Sequence, residues 1–249
     1  MSASVVLSPL EFDVVWESER LPPRHVALDV LSPGRTHTER TQLTKQAFET
    51  LEQRGLARNG RAVADLADWL NLLAHPQYSI DSWVWTDHEI KSLAVAAGGD
   101  GLLAVVEPSE VWLIPARGTA LAEAAVSVAG EMPAGRGFSV SVDTDVLLQA
   151  DARSGGNPGK LELLLRDHGM STMDARGLAA MVSGMGTRGQ FGAERRPRRA
   201  DRVVAFHDTP EGRYAYLTKP NNAGRTWSTI TPADNAMLAG FVWELLEEV

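Results

Sequence analysis

Chemistry in this chain would have to come from a small set of residues. There are six histidines (His25, His37, His75, His88, His168 and His207) and no cysteine. No two histidines stand four apart, and neither HExxH nor HxH occurs, so no zinc site is expected. Without cysteine there are no thiol nucleophiles, disulfides, zinc ribbons or iron–sulfur clusters. Asp87-His88-Glu89 is the densest titratable cluster, and it reads as a solvated turn between strands. His207 and Asp208 are neighbours on an expected strand, where successive side chains point to opposite faces, which spoils a direct pairing. No serine sits in GxSxG, so a hydrolase elbow is absent.

Phosphate chemistry has three candidate segments. Gly184-Met185-Gly186-Thr187-Arg188-Gly189 matches GxGxxG, with Asp208 at a tempting distance. A dinucleotide fingerprint needs a strand before it and a helix after it, so that the helix N-terminus meets the pyrophosphate. The expected order here is the reverse. Gly155-Gly156-Asn157-Pro158-Gly159-Lys160 lacks the first glycine of a phosphate loop, and Leu161 stands where a hydroxyl would hold magnesium. Arg188 to Arg202 holds six arginines (Arg188, Arg195, Arg196, Arg198, Arg199 and Arg202), set against Glu194 and Asp201. With Phe191 the only aromatic among them, a solvated hairpin loop is the plainer reading, and a negatively charged protein partner is an intermediate one.

Aromatic residues offer binding rather than catalysis. Trp83 and Trp85 alternate on one expected strand and should share a face, either packing a core or forming a platform for a partner. Tyr214, Tyr216 and Trp227, on neighbouring strands of the second half, invite the same two readings. No constellation for catalysis emerges, and the residues favour a binding protein over an enzyme.

The whole chain sets the frame for these residues. It has 249 residues, 44% hydrophobic and 22% charged, the balance of a globular protein able to bury a sizeable core. Twenty-four basic against 32 acidic residues leave a net charge of −8, which argues against a general nucleic-acid or anionic-membrane binder. The opening MSASVVLSPLEFDVVWESER has no basic n-region and no apolar core, so no signal peptide is expected. The weakly polar run Leu121–Gly130 is too short to span a bilayer. A soluble, cytoplasmic protein is expected.

Periodicity then supplies the elements. Ser8-Pro9-Leu10-Glu11 has the form of a capping box, opening a helix with Leu10, Val14 and Leu21 on one face before Pro22-Pro23. A second helix is expected from Thr38 to Arg54, with Leu43, Ala47, Phe48 and Leu51 as its stripe and Gly55 as its cap. A third is expected from Arg61 to Ala74. Period-two texture follows at Tyr78–Trp85, Ile90–Val95, Leu102–Val106 and Val111–Ile114, with turns at Gly98–Gly101 and Pro108-Ser109. A helix over Thr119–Ala129 closes this half.

The second half opens with a short strand near Phe138–Val142 and a helix from Asp143. Helices Pro158–His168 and Met173–Met185 follow. Strands are expected near Arg188–Ala193, Val203–Asp208, Arg213–Thr218 and Arg225–Ile230, with turns at Thr209–Gly212 and Pro220–Gly224. A final helix opens at Thr231-Pro232-Ala233-Asp234. Helices, four strands and a helix thus occur twice, about 110 residues apart. Hairpin-linked strands imply antiparallel pairing and an α+β protein.

The order of motifs resembles the EspG family, the ESX (type VII) secretion-associated proteins of mycobacteria and related actinobacteria. The resemblance is carried by Pro33-Gly34-Arg35-Thr36-His37-Thr38-Glu39-Arg40, Leu51-Glu52-Gln53-Arg54-Gly55-Leu56, Arg188-Gly189-Gln190-Phe191-Gly192, Asp208-Thr209-Pro210-Glu211-Gly212-Arg213-Tyr214 and Trp227-Ser228-Thr229-Ile230-Thr231-Pro232-Ala233. It runs nearly end to end. It implies a single EspG-like domain over 1–249, with pseudo-repeat halves of about 1–130 and 131–249. The family fold is a central antiparallel sheet flanked by two helical bundles in a quasi-two-fold arrangement.

The implied function is that of a cytoplasmic chaperone. It would bind the helical tip of PE–PPE heterodimers, or of a similar helical secretion substrate, without catalysis or cofactor, and direct it to the ESX system. Covering an exposed apolar tip removes an aggregation liability without any chemistry. The contact surface is expected on second-half strands and the adjacent helical pair. Arg188, Gln190 and Phe191 would lie on one strand, Tyr214 and Tyr216 on the next and Trp227 beyond, with Met170 and Met173 as adaptable apolar contacts. Half of these would otherwise pack the core. Two other readings stay open: a nucleotide- or phosphate-binding enzyme using Gly184–Gly189, and a self-associating scaffold, including a homodimer of the client-free chain.

Overall fold

The computed structural model describes residues 4–220 and 224–249. Two compact units emerge. The first comprises the chain through Trp83, Glu89–Val128 and Arg195–Pro197; the second comprises Val84–His88, Ala129–Glu194 and Arg198–Val249.

In the first unit the elements are β1 (Val5–Leu7), α1 (Pro9–Ser18), α2 (His37–Gln53), β2 (Ala57–Arg58), β3 (Arg61–Ala62), α3 (Ala64–Ala74), β4 (Tyr78–Trp85), β5 (Glu89–Ala97), β6 (Asp100–Val106), β7 (Val111–Arg117) and α4 (Leu121–Ser127). The capping box is present: the Glu11 amide donates to Ser8 Oγ at 3.2 Å, and the Ser8 amide donates to Glu11 Oε2 at 2.7 Å. The helix ends at Ser18, before Pro22-Pro23; Phe12, Val15 and Trp16 are its core face, Val14 is buried as expected, Leu21 packs on the same cluster from beyond the helix, and Leu10 is half-buried.

Asn59 and Gly60, both at positive φ, form the tight turn of the β2–β3 hairpin, and α3 therefore starts at Ala64 rather than Arg61. The sheet order is β1-β7-β6-β5-β4. Strand β1, which the sequence reading missed, pairs Leu7 with Val111. Three residues are too few to show a period. Helices α1–α3 and the sheet enclose one apolar cluster, including Phe12, Trp16, Leu28, Leu51, Leu70, Leu93 and Leu113.

The second unit contains β8 (Val140–Asp143), α5 (Thr144–Ser154), α6 (Pro158–Asp167), α7 (Thr172–Met181), β9 (Arg188–Arg195), β10 (Arg198–Arg199), β11 (Val204–Thr209), β12 (Gly212–Pro220), β13 (Thr226–Pro232) and α8 (Asn235–Glu247). The turn expected at Pro220–Gly224 lies in part outside the described residues. Thr231 and Pro232 belong to β13, and Asp234 is itself the N-cap of α8, accepting from the Met237 amide at 2.8 Å. Helix α7 stops four residues short of Met185. The sheet order is β9-β11-β12-β13-β8, with β10 beside β9.

Both units follow one plan: a short strand, three helices, four strands and a helix, the short strand pairing with the last of the four. Every strand pair with a determined register is antiparallel, and the long strands belong to one large sheet, as expected for this α+β protein.

Candidate functional site

Register in the second sheet decides which side chains share a face. Gln190 pairs with Ala205, Ala205 with Tyr216, Tyr216 with Ile230, and Ile230 with Val140. Paired residues in antiparallel strands project to the same side, so these five form a row on the face covered by α5–α7. Two residues along, Arg188 pairs with His207, and His207 with Tyr214.

Helices α5–α7 cover only part of this face. A cavity of about 350 Å³ remains, with Gln190, Ala205, His207, Tyr216 and Ile230 as its floor. Leu147, Leu148 and Asp151 of α5, Leu161 of α6, Val182 and Met185 after α7, and Trp85 at the end of β4 wall it. Leu148 is 58% exposed and Met185 51%. The buried stripe of α5 is Leu147, Ala150 and Ser154, so Leu148, about 100° further round the helix, leans toward the opening. About half of each side chain is already buried, so covering the rest would stabilise a complex by roughly 1–1.5 kcal/mol each before ordering costs.

Hydrogen bonds hold the floor in place. The Tyr216 hydroxyl lies 2.7 Å from Ser228 Oγ, which lies 2.8 Å from Thr144 Oγ1 on α5. His207 Nε2 donates to the Met181 carbonyl at 2.9 Å, and its ring stacks on Tyr214 at 5.5 Å. Burial pushes the His207 pKa below the usual imidazole value, against the opposing pull of the Met181 bond and of Asp208. The imidazole is therefore held neutral. On the rim, the Arg188 guanidinium, the Asp151 carboxylate and the half-buried Gln190 amide make no side-chain hydrogen bond or ion pair among the described residues.

Three of the eight expected contact residues, Arg188, Gln190 and Tyr216, come together in this groove. Met170 packs on the helical cluster, Met173 is 68% exposed on the first turn of α7, and Trp227 is partly exposed on β13. Phe191 and Tyr214 require correction. Phe191 alternates with Gln190 and points to the other face, fully buried and stacked on Phe206 at 5.8 Å. Tyr214 is buried under the segment before β8, its hydroxyl donating to the Arg136 carbonyl at 3.0 Å. Moreover, β11 separates β9 from β12, so the tyrosine strand is not next to the Arg188 strand.

The two tryptophans divide. Trp83 packs on the first unit's core, whereas Trp85 lines the groove. Leu148, Met185 and Asp151 were missed. The sequence carried no signal for them: adjacent leucines are both buried at Leu164-Leu165 and at Leu245-Leu246, so the Leu147-Leu148 pair alone does not mark Leu148 as exposed.

Two other motifs serve the frame. Arg213 is fully buried, bonding Asp208 through Nε at 2.7 Å and Nη2 at 2.9 Å, the Ala129 and Gly130 carbonyls, and Asn235 Oδ1. Its guanidinium lies 4.7 Å from the centre of the Phe206 ring. Gly212, at φ +122°, has Gly135 backbone 2.7 Å from where a Cβ would stand. At Gly184–Gly189 a helix precedes and a strand follows, and the Gly186 amide donates to the Asp208 carbonyl at 2.8 Å. That is the reverse of the dinucleotide arrangement. Among the described residues no group of histidine and acidic side chains is arranged to hold a metal, and no helix is long and apolar enough to cross a membrane.

The geometry is thus an α+β frame with an open, apolar-walled groove between the second unit's strands and its helices. The chain belongs to the EspG family, whose model matches residues 8–244. Its fold is shared with the Mycobacterium tuberculosis type VII secretion system chaperone EspG5, solved in complex with the PE25–PPE41 dimer. The two superpose with a TM-score of 0.76 at 14% identity, over 98% of this chain and 96% of that one. No curated protein matches the sequence.

Proposed function

We propose that this protein is a cytoplasmic type VII secretion chaperone whose groove receives the helical tip of a PE–PPE dimer or a similar helical secretion substrate. It keeps that client soluble and delivers it to the ESX system. The observation that carries this reading is the groove itself. Leu148 and Met185 stand exposed beside a floor of Tyr216, Ala205 and Ile230, in a chain of the EspG family. Apolar side chains left open at a concave surface are what a helix end with its own exposed apolar residues would cover. Such binding needs no bond to be made or broken. Of the expected contact residues, Arg188, Gln190 and Tyr216 touch the client in this reading, and Met173 and Trp227 lie outside the groove.

Co-expression with the PE–PPE pairs or other helical secretion substrates encoded beside the gene, followed by size-exclusion chromatography with light scattering, tests the reading. A one-to-one complex is expected that keeps an otherwise insoluble client in solution. Leu148→Asp combined with Met185→Asp should abolish it while leaving the melting temperature within a few degrees, because both side chains are exposed. If the folded chain elutes apart from every such substrate, the reading is wrong.

A further inference from the structure

The groove carries polar groups that its own fold leaves unused, and their chemistry specifies what the client must present. Arg188 and Gln190 sit two residues apart on β9, on the same face and about 7 Å from each other. One is a cation with a fork of donors, the other a half-buried amide. Asp151, an acceptor only, stands across from them on α5, and no ion pair joins it to Arg188. Charges of opposite sign thus stand on two different walls of the groove, each open to a partner.

The end of a helical hairpin is the complementary object. Its first helix finishes with unsatisfied carbonyls and partial negative charge; its second begins with unsatisfied amides and partial positive charge. We propose that the groove reads both helix ends of the client's tip. Arg188 and Gln190 donate to the last carbonyls of the incoming helix, Asp151 accepts from the first amides of the outgoing one, and the turn's apolar side chain enters between Leu148 and Met185. This rests on the chaperone reading and adds an orientation to it: a tip entering with its two helices exchanged meets the wrong charge at both ends.

The test uses the full chain and the client captured by co-expression, with affinity measured by calorimetry at low and high salt. Arg188→Glu and Asp151→Lys should each weaken binding roughly five- to tenfold. Arg188→Lys should retain most of the affinity, and the wild-type affinity should fall with salt more steeply than that of either charge-reversed variant. Both side chains are exposed, so thermal melts should be unchanged and report the fold. If both reversals bind within twofold of wild type while Leu148→Asp combined with Met185→Asp still abolishes the complex, the helix-end inference is overturned and the chaperone reading stands. If no client is captured at all, both fall.

Discussion

The two units share one element order, yet they differ in how charge is buried and in what their helices leave open. In the first, the helical layer closes over Phe12, Trp16, Leu51 and Leu70, and its acids are shared among several arginines. Asp13 meets Arg24 and Arg40, each at 2.7 Å, with Ser32 at 2.8 Å; Glu17 meets Arg40; Glu11 meets Arg54; Glu19 meets Arg61. Burial alone would raise the Asp13 pKa, but the bonds from Arg24, Ser32 and Arg40 hold it below the ordinary carboxylate value. In the second, one fully buried ion pair, Arg213 with Asp208, ties β12 to β11 and the 129–130 segment, and the sheet's other face is only partly covered. Closing a helical layer over a sheet and leaving it ajar are thus two finishes to the same plan.

That contrast can be tested from its strongest consequence downward. Arg213→Met leaves Asp208 buried without its cation and should cost about 3–5 kcal/mol in urea unfolding. A loss under about 1 kcal/mol would mean that the second unit does not depend on this pair. Asp13→Ala in the first unit should cost less, about 2 kcal/mol, because Arg24 and Arg40 are each partly exposed and can turn to water. Equal losses for the two variants would erase the distinction between shared and solitary charge burial.

The smallest effect concerns pH. His207 has a depressed pKa, so the unfolded chain binds its proton first, and stability is lost as pH falls through the ordinary imidazole value of 6.5. Its surroundings are Arg188 across the strand pair, Tyr214 stacked on it and Asp208 beside it. Stability should therefore fall between pH 7.5 and 5.5, and His207→Gln should flatten the profile over that range. Asp13 adds nothing to this window, since its carboxylate stays ionised until well below it. A profile unchanged in His207→Gln would show that the imidazole is not held neutral by the fold.

Helices were legible in the sequence wherever a cap and a stripe coincided, as at Ser8–Glu11 and at Gly55. The period-two strands were legible for the same reason, each spanning enough residues to declare a face. Strand β1 and the Asn59-Gly60 hairpin were lost because they are too short to have a period. The groove was half legible. Arg188, Gln190 and Tyr216 follow from strand alternation, but alternation also admitted Phe191, whose face is set by register with Val204 and not by residue type. Leu148 and Met185 could not be found in this way, because exposure in a gap between helices depends on how far the helices cover the sheet. No local pattern encodes that distance.

Gly212, Arg213 and Tyr214 belong to one of the five segments that carry the resemblance to the family, and all three are interior. A Cβ on Gly135 would stand 2.2 Å from the Tyr214 ring, so strand and incoming segment interlock like a key in its ward. That segment therefore describes the chain's chassis and is silent about its cargo. Sorting such proteins by client would have to weigh the handful of residues around Leu148 and Arg188 and disregard the motif that brought them together.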